Sequence, residues 1–109
     1  MDCGIAHEFD EAKNRWEVKL SGEFDNFNAA DLKTELGALA DQKNADFNLD
    51  CSDLAYLDST AIGSLVAVLK NVKAYGGKIH LNELKPNLLK LFRITNLNKA
   101  FEIEGESDE

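Results

Sequence analysis

Apolar and polar residues alternate strictly over Arg15–Leu20, with Trp16, Val18 and Leu20 on one side and Arg15, Glu17 and Lys19 on the other. A period of two marks a strand with one buried face. The pattern returns at Ala45, Phe47, Leu49 and Cys51, interleaved with Asp46, Asn48, Asp50 and Ser52. Residues from about Gly4 to Phe9 read as a weaker strand, and the polar stretch Asp10–Asn14 reads as a turn that closes a hairpin. Ser21-Gly22 reads as the end of the second strand, and Asp53–Leu57 as a linker after the third.

Elsewhere the period is helical. Over Asn28–Gln42, Leu32, Leu36 and Leu39 share a face, with Ala29 and Ala40 at its margins. Asn28 followed by Asp31 reads as an N-cap with an acidic first turn. Over Ser59–Tyr75, the residues Ile62, Leu65, Val66, Leu69 and Val72 form a stronger stripe, stopped by Gly76-Gly77. Lys78–Leu81 reads as a short strand. Pro86 sits at the first turn of a third helix, striped by Leu88, Leu91 and Phe92 with Leu89 and Ile94 alongside. Phe101–Ile103 adds a last short strand or a docked tail. The order ββαβαβα predicts an α/β fold with a small mixed sheet and right-handed crossovers. A strand between two helical layers is apolar on both faces, whereas the third strand has one polar face. Helices packed mainly on one face of the sheet are therefore expected.

Length and charge narrow the function. The chain's 109 residues fit a single domain spanning 1–109, with an ordered core over about 5–103 and an acidic tail, 104–109, expected to fray. A net charge of −8 argues against nucleic acid and against an anionic membrane surface. No apolar run approaches the roughly 20 residues of a membrane span, and the N-terminus lacks the pattern of a signal peptide. A cytoplasmic protein is expected. Cys3 and Cys51 are too few for a disulfide framework and read as buried free thiols on strands.

Enzyme chemistry finds little support. His7 and His80 read as ordinary strand residues, no Cys/His set has zinc spacing, and no metal is expected. Gly76-Gly77-Lys78 precedes a strand and lacks P-loop spacing, so neither a nucleotide nor another cofactor is expected. Ser59 as a hydrolytic nucleophile would need a base, for which His80 is the sole candidate, and no Gly-x-Ser-x-Gly elbow surrounds it. A receiver domain with a phosphoacceptor aspartate lacks its acidic pair after the first strand. No catalytic residue is assigned, and the chain reads as a non-enzyme.

The informative stretch is Asp58-Ser59-Thr60-Ala61-Ile62-Gly63. By spacing alone it is a helix start, with Asp58 or Ser59 offering an oxygen to the free amides and with Ala61 and Gly63 permitting close packing. The stretch also resembles the signature of the STAS family, the anti-sigma factor antagonists, in which Asp-Ser-[Ser/Thr]-Gly-[Leu/Ile]-Gly opens a helix after a strand. Gly22-Glu23-Phe24-Asp25 is similar to the family's turn after the second strand. Gly76-Gly77-Lys78-Ile79 and Leu91-Phe92 through Asn96-Leu97 resemble later family features, so the likeness runs from about Ile5 to Ile103. Ala61 departs from the pattern, standing where many members have glycine.

The resemblance implies a STAS fold and a partner-binding switch. Ser59 corresponds to the phosphorylated serine, with Thr60 the second choice. Glu23, Asp25, Asp58, Thr60, Ala61 and Gly63 correspond to the partner-facing edge. The implied partners are an anti-sigma factor that is also a serine kinase of GHKL type, and a PP2C-type phosphatase. In its unphosphorylated form such a protein binds the anti-sigma factor and releases a sigma factor, which regulates transcription. The alternative within the family is a STAS scaffold or transporter-associated module without a phosphorylation cycle.

Overall fold

The computed structural model describes residues 3–104. Beyond Glu104 the expected acidic tail lies outside the described residues. Strands β1 (Gly4–Asp10), β2 (Arg15–Phe24), β3 (Asp46–Leu57), β4 (Ile79–Asn82) and β5 (Glu102–Ile103) form one sheet in the order β1-β2-β3-β4-β5. β1 pairs antiparallel with β2, and every other pair is parallel, as the βαβ alternation requires. Helices α1 (Ala29–Gln42), α2 (Ser59–Ala74) and α3 (Pro86–Ile94) provide the crossovers, and a short 3-10 turn (Leu97–Lys99) leads into β5. The expected α/β order stands, with the last apolar piece resolved as a strand.

Side chains from one face of the sheet supply the core. Trp16, Val18, Leu20, Phe47, Leu49, Cys51, Ile79 and Leu81 are buried there beneath Leu32, Leu36, Leu65, Val68, Leu88 and Phe92 of the helices. No polar or charged residue is buried among the described residues. Full burial of each Leu, Ile or Phe contributes about 1.5–3 kcal/mol, so this layer dominates stability. The opposite face carries a polar ladder. Asn82 Nδ2 donates to Asn48 Oδ1, Asn48 Nδ2 donates to Glu17 Oε1 at 2.7 Å, and Arg15 Nε pairs with Glu17 at 2.5 Å.

Two boundaries differ from the sequence reading. β2 runs through Ser21-Gly22 to Phe24, and the expected linker Asp53–Leu57 is the second half of β3. The register explains both. Lys19 opposes Asp50, Ser21 opposes Asp53, Gly22 opposes Leu54 and Glu23 opposes Tyr56, so β3 carries extra residues at two bulges. Each bulge shifts the alternation, which spaces the buried residues Cys51, Leu54 and Leu57 by three. Gly22 takes the positive φ of 82° that the irregularity needs. Cys3 is also placed differently from expectation: it is exposed and precedes β1, whereas Cys51 is buried and its thiol is pushed up to about 12 by desolvation.

At the far end of α2 the expected glycine stop takes the Schellman form. Gly76 N donates to Lys73 O at 3.0 Å and Gly77 N to Val72 O at 2.9 Å, with Gly76 at φ 84°. A Cβ on Gly77 would lie 2.8 Å from both Tyr75 and Val72 side-chain atoms. The stop aims the chain back to β4, which fixes the crossover.

Candidate functional site

β2 and β3 end side by side, and their ends build the site. Phe24 opposes Leu57, and Asp58 N donates to Phe24 O at 3.1 Å. Asp25 and Asp58 therefore leave neighbouring strands at the same edge, where α1 and α2 begin. This is the carboxyl end of parallel strands, the common location for recognition in open α/β sheets.

Asp58 is the N-cap of α2, with φ −94° and ψ −176°. Its Oδ1 accepts from Ala61 N at 2.9 Å and from the Thr60 hydroxyl at 2.6 Å. These bonds, the Thr60 hydroxyl first and then the Ala61 amide, hold its carboxyl below the usual aspartate range, with the Asn26 amide contributing. Asp58 is therefore a carboxylate at neutral pH. Ser59, the first residue of the helix, is exposed, and its hydroxyl makes no hydrogen bond among the described residues. The neighbouring Thr60 hydroxyl is held by Asp58. The two hydroxyls of the motif are thus in different states.

On the α1 side Asn28 does not cap its helix by side chain, contrary to the sequence expectation. Its Oδ1 accepts from Asp25 N at 2.7 Å and its Nδ2 donates to Glu23 O at 2.9 Å and to Cys3 Sγ at 3.2 Å. Asp25 O takes the helix-start amides of Asn28 and Ala29, and Asp25 Oδ1 accepts from Phe27 N at 2.9 Å. The segment from Glu23, at the end of β2, to Asn28 is pinned as a unit beside Asp58.

The structure brings Glu23, Asp25, Asp58, Ser59 and Thr60 to one corner, and Gly63 lies exposed one turn further along α2. Ala61 is the exception. It is 0% exposed, so its methyl group packs into the core and only its amide faces the cap. A partner cannot touch the Ala61 side chain, and the methyl that replaces glycine there does not obstruct the surface. Gly63 is not required by packing either, since a Cβ there meets nothing within 4 Å. Phe27 at 89% exposure and Tyr56 at 47% were not singled out by periodicity, because both sit where the regular patterns break. An aromatic within the polar run Asp25-Asn26-Phe27-Asn28 was the available signal.

A groove of about 570 Å³ opens from Ser59 toward α3, with Tyr56, Ile62 and Leu91 as its apolar wall and Asn87 and Thr95 as polar positions. A second hollow, lined by Glu8, Glu17, Lys19 and Asp50, lies on the uncovered sheet face and away from the motif. Among the described residues no helix is long and apolar enough to cross a membrane, and no group of three or more His, Cys, Asp or Glu is placed to hold a metal ion.

Known proteins resemble this chain in sequence and fold. The chain is 36% identical over 96 residues to an anti-sigma-B factor antagonist of Bacillus subtilis (strain 168), covering 88% of this chain and 87% of that protein. An anti-sigma factor antagonist from Mycobacterium paratuberculosis superposes with a TM-score of 0.77 at 25% identity, over 98% of this chain and 89% of the other. The anti-sigma factor antagonist SpoIIAA in its unphosphorylated form gives a TM-score of 0.73 at 15% identity, over 96% and 91%, a likeness of fold. The family described as "Mlab, STAS domain" matches residues 7–104. With the one-sided sheet, the capped serine motif and a family match across nearly the whole described fold, the chain belongs to the STAS family.

Proposed function

We propose that the protein is an anti-sigma factor antagonist switched by phosphorylation at Ser59. The unphosphorylated form binds an anti-sigma factor that is also a serine kinase of GHKL type, and a sigma factor is released. Phosphate transfer to Ser59 ends the complex, and a PP2C-type phosphatase restores it. One observation carries the choice of residue: Ser59 is exposed with an uncommitted hydroxyl, while the Thr60 hydroxyl is held at 2.6 Å by Asp58. The Bacillus subtilis relative, named an anti-sigma-B factor antagonist, supports the choice of function.

The physics of the corner suits a switch. A phosphate adds about −1.5 to −2 charges. On the first residue of a 16-residue helix it meets free amides and the positive end of the dipole, so the fold tolerates it. A kinase approaching Ser59 brings nucleotide phosphates and a catalytic carboxylate, so the phosphorylated serine faces like charge in that partner. One such contact at about 4 Å is worth roughly 4 kcal/mol at an effective dielectric near 20. A hundredfold loss of affinity needs only about 2.7 kcal/mol. Glu23, Asp25, Thr60 and Gly63 form the remaining contact surface in this reading, and Ala61 acts from within.

The test is direct. Incubation with the anti-sigma factor and ATP, followed by peptide mass spectrometry, is expected to place one phosphate on Ser59 and none on Ser59→Ala. Phosphate retained by Ser59→Ala would sink the assignment. A pull-down that recovers a transporter ATPase and no kinase would favour a STAS module without a phosphorylation cycle.

A further inference from the structure

Phe27 differs from the other phenylalanines of the fold. It is 89% exposed, whereas Phe24, Phe47, Phe92 and Phe101 are exposed by 2% or less. The next most exposed aromatic among the described residues, Tyr56, reaches 47%. The ring is in water, yet the backbone that carries it is tightly held. Phe27 N donates to Asp25 Oδ1, Asn28 bridges Asp25 N and Glu23 O, and Asp25 O receives two helix-start amides. A ring with two torsions on a pinned backbone loses little freedom on docking, which is what makes aromatic anchors effective. The fold gains almost nothing from the ring where it stands.

The surroundings specify the complement. From Glu23 to Asp31 the chain has three carboxylates and no lysine or arginine. Asp58 adds a fourth across the strand ends, where the Asn26 amide faces it. An apolar ring carried on an acidic segment matches an apolar pocket with a cationic rim.

We propose that Phe27 is the aromatic anchor of the partner complex, entering an apolar pocket rimmed by lysine or arginine on the anti-sigma factor. This inference rests on the function proposed above and adds where the affinity comes from. Ser59 is the residue that is modified; Phe27 supplies binding energy. Phe27 is carried by the β2–α1 turn and Ser59 by the start of α2, so modification and anchoring fall to separate elements of the same corner.

Isothermal titration of the purified chain against the purified anti-sigma factor tests it, with melting temperatures measured in parallel. Phe27→Ala is expected to weaken binding about thirtyfold or more, the size of a buried aromatic hot spot, with the melting temperature unmoved because the ring is exposed. Phe27→Tyr should retain most of the affinity. Wild-type affinity should fall with added salt, and Asp31→Asn should flatten that dependence. Equal binding by wild type and Phe27→Ala overturns the anchor while leaving the proposed function intact. Salt-independent binding overturns the cationic rim. A wild-type chain that binds no anti-sigma factor overturns the function itself, and the anchor with it.

Discussion

Two helices start at the same corner, each after an Asx residue, and the two residues do different work. At α2 the Asp58 side chain serves its own helix, accepting from Ala61 N and the Thr60 hydroxyl. At α1 the Asn28 side chain turns back to Glu23 and Asp25, and the backbone carbonyl of Asp25 takes the helix amides instead. A carboxylate can only accept, which suits a cluster of donors at a helix start. An amide both donates and accepts, which suits a turn with an unmet carbonyl on one side and an unmet N–H on the other. One start is thus built to leave a serine hydroxyl available, and the other to hold a turn rigid.

The largest expected effect tests the first half of that contrast. Phosphorylation at Ser59 should lower affinity for the anti-sigma factor by about a hundredfold, the factor set by about 2.7 kcal/mol. The circular-dichroism spectrum and the melting temperature should change little, because the helix start accommodates the anion. A phosphorylated chain that unfolds would show that the α2 start cannot take a second anion beside Asp58, and the switch would then act through the fold.

Asn28→Ala breaks the other half. It orphans Asp25 N and Glu23 O, and the loss of such partners costs about 1–3 kcal/mol when water cannot fully replace them. Urea denaturation should show that destabilisation. Asn28→Asp keeps the acceptor for Asp25 N and loses the donor to Glu23 O, so it should fall between alanine and wild type. If Asn28→Ala is as stable as wild type, water satisfies the turn and Asn28 is not its clamp.

The contrast also explains what was readable in the sequence. Periodicity revealed the half-buried strands, the helical stripes and the one-sided packing, because Trp16, Val18, Leu20 and Phe47, Leu49, Cys51 keep strict alternation. It failed at Asp53–Leu57, where two bulges space the buried Leu54 and Leu57 by three. A period-two search reads that as the end of a strand. The Asp58 cap was legible because its partners are local. The Asn28 arrangement was not, because an N-cap and a turn clamp share the same residue type and spacing. Burial of Ala61 follows from its helical spacing with the buried Leu65, Val68 and Val72, which places it on the core stripe of α2. Exposure of Phe27 depends on how the β2–α1 turn sits on the sheet, and its only local sign is an aromatic in a polar run.

A pair of glycines extends the comparison along the two helices. Gly37 on α1 and Gly63 on α2 are both helical, and a Cβ on either meets nothing within 4 Å. Alanine at each should raise stability by about 0.5–1 kcal/mol, the ordinary penalty of glycine inside a helix. Chemical denaturation should therefore score the two alike. Binding should separate them: Gly63→Ala is expected to weaken the partner complex and Gly37→Ala to leave it unchanged. If both variants bind as wild type, Gly63 is no closer to the partner than Gly37 is.

The smallest effect isolates the charge of the α2 cap. Thr60 and Ala61 hydrogen bonds depress the Asp58 carboxyl below its ordinary value of 3.8 in the folded chain. A depressed carboxylate binds fewer protons folded than unfolded, so its contribution is fully present well above pH 3.8 and is lost as pH falls through the lower folded value. Asp58→Asn keeps an oxygen in the same place for Ala61 N but has no charge to titrate. The stability of wild type relative to Asp58→Asn should be flat near neutral pH and should shrink as acid is added below 3.8. Asp50 is also depressed, by the Ser52 amide, and titrates in the same region, but it is present in both proteins and cancels in the difference. Urea midpoints at a series of acid pH values give that difference directly. A gap that does not change through this range would mean that Asp58 caps α2 as a neutral oxygen does, leaving the two helix starts distinguished by geometry alone.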